Sequence, residues 1–259
     1  MKIKFKRILR NIPIVRRIYT SFFVRLLKLI NKEIFLVEFM KTKFELDINE
    51  PIDKSILLFD YYEDKQINYT AELMRKYNVN IFFDIGANCG LYSLIIANKF
   101  NKINIYSFEP VETSYKKLIK NISINKNTEN IKIYNYGLSN KNSELKMKAL
   151  IKNHYIQLGG FGVVNKNDSL KNKYLIDANF KKGDDNFKFK NKIIFLKIDV
   201  EGHEIYVLEG LTNLLKSNKI IIQIEILPGG NKLVEEQLIK LGFIKIKKIN
   251  FDYYFVNRT

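Results

Sequence analysis

The chain has 259 residues, 46% of them hydrophobic and 13% aromatic, so it can bury the core of one α/β domain with a short extension, and global disorder is excluded. Forty-four lysines and arginines against 27 aspartates and glutamates give a net charge of +17. This charge fits an anionic partner such as nucleic acid, an acidic glycan or a membrane surface, and fits equally a general compositional bias toward lysine.

Cysteine and histidine content sets further limits. The single cysteine, Cys89, excludes a disulfide framework, and two histidines are too few for a zinc site, so no metal ligand is assigned. No stretch approaches the ~20 apolar residues of a transmembrane helix, and the basic N-terminus lacks the cleavage site of a secretory signal. A cytoplasmic protein is therefore expected.

The first 65 residues are interpreted as an extension. Between residues 13 and 31 apolar positions recur every three or four residues with Arg16, Arg17 and Arg25 in the gaps, which predicts an amphipathic cationic helix. Such a helix packs its apolar stripe on the main domain, which we favour, or makes a peripheral contact with an anionic membrane surface. Residues 33–60 alternate apolar and polar side chains and predict a short hairpin. The main domain then spans residues 66–259.

The main domain alternates helices and strands as a wound α/β domain does. Its first half contains helices at 67–77, 91–99 and 114–124 and strands that end at Asp84, Glu109 and Tyr136. Residues 140–190 are less regular, with a strand at 144–151, a flexible glycine turn at 159–162 and a solvated loop at 181–186. The last part contains strands at 192–199 and 220–226, helices at 203–215 and 232–241, and closing strands at 243–249 and 253–256. Two strands after the final helix predict a mostly parallel sheet with an antiparallel C-terminal strand.

The stretch DIGANCG, residues 84–90, joins an apolar strand to a helix. Its small residues let a ligand approach the backbone, and the helix N-terminus offers unpaired N–H groups. Glu109 follows roughly 20 residues later, the spacing at which a carboxylate meets a ribose diol. Asp84 would repel a pyrophosphate but suits a ligand with an ammonium and a sulfonium, namely S-adenosylmethionine. The alternatives are a helix cap for Asp84 and a surface strand end for Glu109.

The chain resembles the FkbM-type methyltransferases. The resemblance rests on DIGANCGLYS at 84–93, FEP at 108–110, GLSN at 137–140, LKIDVEGHE at 196–204 and IIQIEI at 221–226. It covers about residues 70–259, with a looser fit at 140–190, where substrate contacts are expected. It implies a class I methyltransferase (Rossmann-like) sheet and S-adenosylmethionine-dependent O-methylation of a hydroxyl, commonly on a sugar or natural product. We assign cofactor binding to Asp84, Gly86, Asn88, Gly90, Glu109 and Pro110.

Methyl transfer to a hydroxyl benefits from a base, because an alcohol is a poor nucleophile at neutral pH. Asp199, Glu201 and His203 follow the fourth strand, at the edge where open α/β sheets bind ligands. His203, with an ordinary pKa of about 6.5, is the first candidate for general base, and the alternative is a solvent contact or cap in the first helical turn. Asp199 orients the hydroxyl or the histidine, holds a divalent ion, or simply pairs with Lys197. Glu201 binds substrate hydroxyls or caps the helix.

Two further polar residues, one acidic and one histidine, differ in where they are expected to lie. Glu225 ends the next strand along the chain and is expected to face the same pocket. His154, the other histidine, lies in the irregular region and is expected on the surface.

Two other functions are compatible with parts of the sequence. A nucleic-acid methyltransferase, for example of the ribose 2′-hydroxyl, fits the charge of +17. However, the turn at 199–202 lacks the Asn/Asp-Pro-Pro-aromatic pattern of amino-directed enzymes, and an acidic rim suits a polyanion poorly. A non-catalytic module is opposed by the intact glycine turn. The sequence therefore predicts an O-methyltransferase of polysaccharide or natural-product assembly.

Overall fold

A computed structural model describes residues 12–152, 155–156, 158–165, 168–227 and 231–258. In this part of the chain the strands are β1 (Ile34–Phe39), β2 (Thr42–Asp47), β3 (Ile81–Ile85), β4 (Asn104–Phe108), β5 (Ile131–Tyr134), β6 (Gly137–Ser139), β7 (Ser143–Lys152), β8 (Tyr155–Ile156), β9 (Gly162–Val163), β10 (Lys173–Lys182), β11 (Ile193–Ile198), β12 (Lys219–Glu225), β13 (Phe243–Ile249) and β14 (Asp252–Asn257). The helices are α1 (Pro13–Leu29), α2 (Pro51–Phe59), α3 (Asp64–Lys76), α4 (Leu91–Lys99), α5 (Glu112–Ser123), α6 (Gly183–Asn186), α7 (Glu204–Gly210), α8 (Thr212–Ser217) and α9 (Asn231–Lys240).

The main sheet has the strand order β13-β14-β12-β11-β3-β4-β5. Its pairs are parallel except those of β14, which is antiparallel to both β12 and β13. The predicted mostly parallel sheet with an antiparallel C-terminal strand is therefore confirmed. The central strands are continuous apolar runs because both faces of the sheet are covered, and Phe82, Phe83 and Phe195 are fully buried.

The register of the sheet brings four strand ends together. Ile85 at the end of β3 lies opposite Phe108 of β4 on one side and Ile198 of β11 on the other, and Ile198 lies opposite Ile224 of β12. Because these strands are parallel, the residues that follow them meet at one edge of the sheet. That edge is where ligands bind in open α/β folds.

The region 140–190 is more regular than predicted: its strands β7, β8, β9 and β10 form a second sheet together with β6. The predicted solvated loop at 181–186 is wrong: it contains the end of β10 and helix α6. Gly183 is buried, and a Cβ added there would lie 2.3 Å from a methyl carbon of Leu211. The Asp184 carboxylate accepts the backbone N–H groups of Asn213 and Leu214 at 2.8 and 3.0 Å. Asp184 therefore binds the first turn of α8 rather than only solvent.

Two helices also differ from the prediction. The helix predicted at 203–215 is split into α7 and α8 at Leu211. A Cβ added to Gly210 would lie 1.9 Å from the carbonyl oxygen of Ser139, so α7 ends where it meets the backbone of β6. Helix α2 was not predicted, although Pro51 stands at its start, where proline needs no backbone hydrogen bond.

The N-terminal extension contains the predicted helix, but the hairpin predicted over residues 33–60 is limited to β1 and β2, and α2 follows it. Tyr19, Phe23 and Leu27 of α1 pack on Ile48 and Phe59. The helix therefore contacts the domain as favoured from the sequence, but the apolar stripe that was expected to make this contact is not the face that is covered. The opposite face keeps large apolar side chains exposed, namely Ile14, Ile18, Phe22, Leu26 and Leu29. In the described part of the chain, no helix combines the length and apolar character needed to cross a bilayer.

The hairpin joins the core of the main domain. Phe44 and Leu46 of β2 belong to the same buried cluster as Phe82 of β3 and Ile95 of α4. The domain boundary at residue 65 thus stays a prediction, while the hairpin itself packs against the main sheet and its helices.

Candidate active site

A cavity of about 290 Å³ lies at the carboxyl ends of β3, β4, β11 and β12. The main sheet supplies one wall, and the second sheet and the start of α2 supply the other. Its polar lining residues are Tyr62, Asn88, Glu109, Asp199, Glu201, His203 and Glu225, and its apolar lining includes Ile52, Met147, Phe161, Val163 and Phe180. Of the residues assigned to the site from the sequence, only Asp84 and Gly90 lie behind the wall, and all the others line the cavity.

The glycine turn is held tightly against its neighbours. Gly86 has a φ of +84°, and a Cβ added there would lie 1.9 Å from the carbonyl oxygen of Asp199. The N–H groups of Gly86 and Ala87 donate to the carbonyl oxygen of Phe108 at 3.0 and 2.9 Å. Gly90 also has a φ of +84° and leaves room for Leu118 of α5. Close packing within the protein therefore requires glycine at both positions. The same packing places the turn beside the cavity.

Glu109 stands at the cavity wall with its carboxylate fixed by the backbone. Its two oxygens accept the N–H groups of Asn88 and Val111, each at 2.8 Å. Burial raises the pKa of Glu109 to about 7, although the two hydrogen bonds favour the ionised form and lower it. A carboxylate oxygen has two lone pairs, so each oxygen keeps one acceptor position after these bonds. The arrangement fits a ribose diol, and the surface alternative is excluded because Glu109 is buried.

Asp84 lies deeper than the sequence pattern indicates. One carboxylate oxygen accepts the N–H and hydroxyl of Ser93 at 3.0 and 2.6 Å, which is a bond to the first turn of α4 and agrees with the helix-cap alternative. The other oxygen, Oδ1, has no hydrogen-bond partner among the described residues. Its burial raises the pKa of Asp84. The assignment of Asp84 to a cofactor ammonium stays a prediction, with Oδ1 as the free acceptor.

Lys197 connects Asp84 to the catalytic candidates. Lys197 on β11 is in register with Asp84 on β3, and its Nζ lies 2.9 Å from Oδ2 of Asp199. Burial alone would lower the pKa of Lys197, but the carboxylates of Asp199, Asp84 and Glu63 raise it. Burial would likewise raise the pKa of Asp199, but the Lys197 charge and hydrogen bonds from Glu225 and Lys197 hold it below its ordinary value. Asp199 is therefore an anion with a fixed cation behind it.

Three carboxyl groups gather at this wall of the cavity. Asp199, Glu201 and Glu225 each place an oxygen within 4.8 Å of the other two, a spacing that a hard divalent cation would accept. Burial and the charge of Asp199 raise the pKa of Glu225 to about 9, so it is protonated at neutral pH and donates to Asp199. Lys197 and this shared proton already balance two of the three carboxyl groups. As predicted, Glu225 faces the pocket.

Among the described residues, Glu201 is the member of this group that neither forms an ion pair with Lys197 nor shares a proton with Asp199. Its backbone φ is +51°, and a Cβ added to Gly162 of β9 would lie 2.9 Å from its carbonyl oxygen, so the second sheet packs directly on this turn. Burial and the charge of Asp199 raise the pKa of Glu201 to about 7. Glu201 was also a candidate cap for the helix that follows. The carboxylate that bonds to the turn before α7 is instead that of Glu204, which accepts the N–H of Gly202 at 2.8 Å. Glu201 is thus left to face the cavity.

His203 lines the cavity but is almost fully buried. Its Nε2 lies 2.9 Å from the Ser139 hydroxyl, and its ring stacks on Tyr206 with the centroids 4.7 Å apart. Burial lowers the pKa of His203 to about 4, so the imidazole is neutral at physiological pH. The solvent-contact alternative is wrong for this residue. His154, the other histidine, lies outside the described residues.

Several contributing residues were not identified from the sequence. Behind Lys197, the Tyr92 hydroxyl donates to Glu63 at 2.8 Å, and Gln223 donates to Tyr92 and Asp252 at 2.9 and 2.7 Å. A glutamine in the apolar run of β12 was the available signal, because a buried amide needs partners. The apolar residues of β7, β9 and β10 that line the cavity could not be recognised, because their sequence pattern does not differ from that of ordinary strands.

Known proteins that are similar to this chain are methyltransferases. A family model described as "Methyltransferase FkbM domain" matches residues 84–244. The hexuronic acid methyltransferase AglP of Haloferax volcanii is 28% identical over 186 residues, which are 68% of this chain and 69% of that protein. The methyltransferase sdnD of Sordaria araneosa is 27% identical over 152 residues, or 49% of this chain and 59% of that protein.

A solved methyltransferase FkbM from Methylobacillus flagellatus is similar in structure, with a TM-score of 0.46 and 14% identity. The match covers 69% of this chain and 43% of that one. The family model includes the glycine turn, Glu109 and the three carboxyl groups of the cavity wall. This chain belongs to the FkbM methyltransferase family and is a methyltransferase.

Proposed function

We propose that the protein uses S-adenosylmethionine to methylate a hydroxyl group of a sugar, in a glycan or in a natural product. The observation that carries the proposal is a single cavity with a ribose-type acceptor, Glu109, on one wall and an ionisable carboxyl group, Glu201, on another. The relative named for hexuronic acid methylation supports a sugar as the acceptor.

The residues for the cofactor are those of the first wall. Glu109 is positioned to accept ribose hydroxyls, and the glycine turn leaves the backbone of Gly86 and Asn88 at the cavity surface. Oδ1 of Asp84 has no hydrogen-bond partner among the described residues and supports the assignment of this carboxylate to a cationic group of the cofactor. The cofactor bound there would supply an electrophilic methyl group on a sulfonium, with the neutral thioether as the leaving group.

The acceptor hydroxyl must lose its proton during this step, and the carboxyl groups differ in fitness for that task. A general base is most effective when its pKa is near the working pH. The pKa of Glu201 is raised to about 7 by burial, whereas that of His203 is lowered to about 4. We therefore infer that Glu201 takes the proton and that Asp199 orients the hydroxyl. The neutral His203 holds this wall of the cavity in place through its hydrogen bond with the Ser139 hydroxyl.

The proposal is tested by incubating the purified chain with methyl-labelled S-adenosylmethionine and a panel of glycosides. We expect label in a sugar ether and release of S-adenosylhomocysteine. A duplex RNA and a tRNA in the same assay test the alternative of ribose methylation. Label in RNA alone, or in no acceptor when the protein binds the cofactor, would contradict the sugar assignment.

We further propose that α1 brings the enzyme to an anionic membrane surface. One face of the helix is packed on the domain, while Ile14, Ile18 and Phe22 on the other are 73%, 65% and 61% exposed beside Arg17 and Arg25. An apolar stripe next to cationic side chains is typical of helices that lie in the interface of a bilayer. This placement would suit an acceptor carried on a lipid.

Vesicle flotation tests the membrane contact. We expect the protein to float with vesicles that contain phosphatidylglycerol and not with phosphatidylcholine vesicles. The double variant Ile18→Glu/Phe22→Glu should stay at the bottom, since it alters only the exposed face, whereas Glu38→Gln on β1 should float as the unchanged chain does. Equal flotation of the double variant would contradict the assignment.

A further inference from the structure

The charge of the cavity lining differs sharply from that of the whole chain. The chain carries 44 lysines and arginines, yet the described residues that line the cavity include four carboxyl groups and no lysine or arginine. The ammonium group of Lys197 lies behind the wall and is paired with Asp199 at 2.9 Å. In the part of the chain that the structure describes, the lysines and arginines therefore lie outside the cavity lining.

An acidic group on the bound acceptor would meet no cation among the described residues that line this cavity. Transferring a carboxylate out of water without a partner is costly, and Glu201 would add repulsion at short range. Among the described residues of the opposite wall, the side chains of Met147, Phe161 and Phe180 are apolar and buried, so they offer an acidic group no polar partner. Such a wall suits the C–H face of an uncharged sugar ring.

We infer that the sugar ring methylated by this enzyme carries no carboxylate, phosphate or sulfate, so that the enzyme selects a neutral hexose over a hexuronic acid. The inference rests on the proposed function and narrows its acceptor. The inferred acceptor differs from that of the relative whose name specifies a hexuronic acid. The two chains are 28% identical, so the residues that contact the acceptor can differ between them.

Matched acceptor pairs test the selection. Nitrophenyl glucoside with glucuronide, and galactoside with galacturonide, differ only in the oxidation of C6. At pH 8, where Glu201 is ionised, we expect kcat/KM to be at least about tenfold higher for the neutral member of a pair. A preference for the uronide would overturn this inference and leave the proposed function intact. Transfer to no glycoside by protein that binds the cofactor would overturn both.

Two variants locate the origin of the selection, and the quantity measured is the ratio of kcat/KM for neutral to acidic acceptor. Glu201→Gln should lower this ratio about tenfold even if both rates fall, and Glu72→Gln, the same charge change on an exposed face of α3, should not alter it. Val163→Lys adds a cation to the apolar wall without touching the carboxyl groups and should also lower the ratio. An unchanged ratio in Val163→Lys, with transfer still measurable, would overturn the inference.

Discussion

The Nζ of the buried Lys197 lies 2.9 Å from Oδ2 of Asp199, which is half-buried and lines the cavity. Lys197 also faces the ring of Tyr92, with Nζ 4.8 Å from the ring centroid, and stands in register between Asp84 and Gln223. One cation thus compensates carboxyl groups that come from three different elements. It keeps Asp199 ionised at the edge where the acceptor is expected.

The first prediction concerns the removal of this cation. Lys197→Met removes the cation that compensates the buried Asp84 and the half-buried Asp199 and should lower the free energy of unfolding by about 3–5 kcal/mol. The measurement is urea unfolding followed by circular dichroism. As a control, Lys146→Met breaks an exposed pair with Asp177 that also has a 2.9 Å distance, and should cost at most about 1 kcal/mol. Equal losses in both variants would show that Lys197 does not compensate the site.

The second prediction compares two glycines with positive φ. Gly86→Ala would place a Cβ 1.9 Å from the Asp199 carbonyl oxygen, so we expect a loss of about 3 kcal/mol or more in stability and the loss of cofactor binding. Gly202→Ala has a similar φ of +98° with no heavy atom within 4 Å of the added Cβ, and should cost only about 1–2 kcal/mol. Thermal unfolding and calorimetric titration measure the two effects. Similar behaviour of the two variants would contradict the close approach of Gly86 to Asp199.

The third prediction is a pH profile that identifies the base. Only the ionised form of Glu201 accepts a proton, so kcat at saturating cofactor should rise with pH through about 7, the pKa that burial gives this residue. Glu201→Gln should remove this rise and reduce kcat about a hundredfold or more. His203→Gln should keep the rise, because the pKa of His203 is about 4. A profile near 7 that disappears in the histidine variant instead would assign the base to His203.

The fourth prediction concerns the ribose contact. Glu109→Gln takes away the charge and one backbone acceptor, so the affinity for S-adenosylhomocysteine should fall about ten- to a hundredfold. Calorimetric titration gives the dissociation constants. Glu112→Gln, three residues later in an exposed pair with Lys116, is the matched control and should bind as the unchanged chain does. Unaltered affinity in Glu109→Gln would remove Glu109 from the cofactor site.

The parts of the fold that follow from local pattern were predictable. The apolar strands, the glycine turn and the closing pair of strands depend on residue types at short range, and they place Asp199, Glu201 and His203 at one edge. The protonation of the site was not predictable, because it depends on how closely Glu225 and Lys197 approach Asp199 from different strands. The second sheet was also missed, since its strands pair across long separations, such as Ser143 with Phe180.

The role of individual residues was the least accessible from sequence. Asp84 was assigned to the cofactor on its position before the glycine turn, while its hydrogen bonds run to Ser93 inside the protein. His203 was the first candidate for base on residue type alone, and only its burial shows how low its pKa lies. Both differences arise from side-chain direction and desolvation, which a single sequence does not encode locally.

Cofactor binding underlies every catalytic role proposed for this cavity, and calorimetric titration measures it without knowledge of the acceptor. The purified chain is titrated with S-adenosylmethionine and S-adenosylhomocysteine, with NAD and ATP as controls. We predict dissociation constants on the order of micromolar for the first two ligands and no binding of the controls, because the turn beside Asp84 and Glu109 offers carboxylates rather than a phosphate nest. Absence of binding by both S-adenosyl compounds, on protein that unfolds cooperatively, would contradict these roles and identify a methyltransferase fold without cofactor.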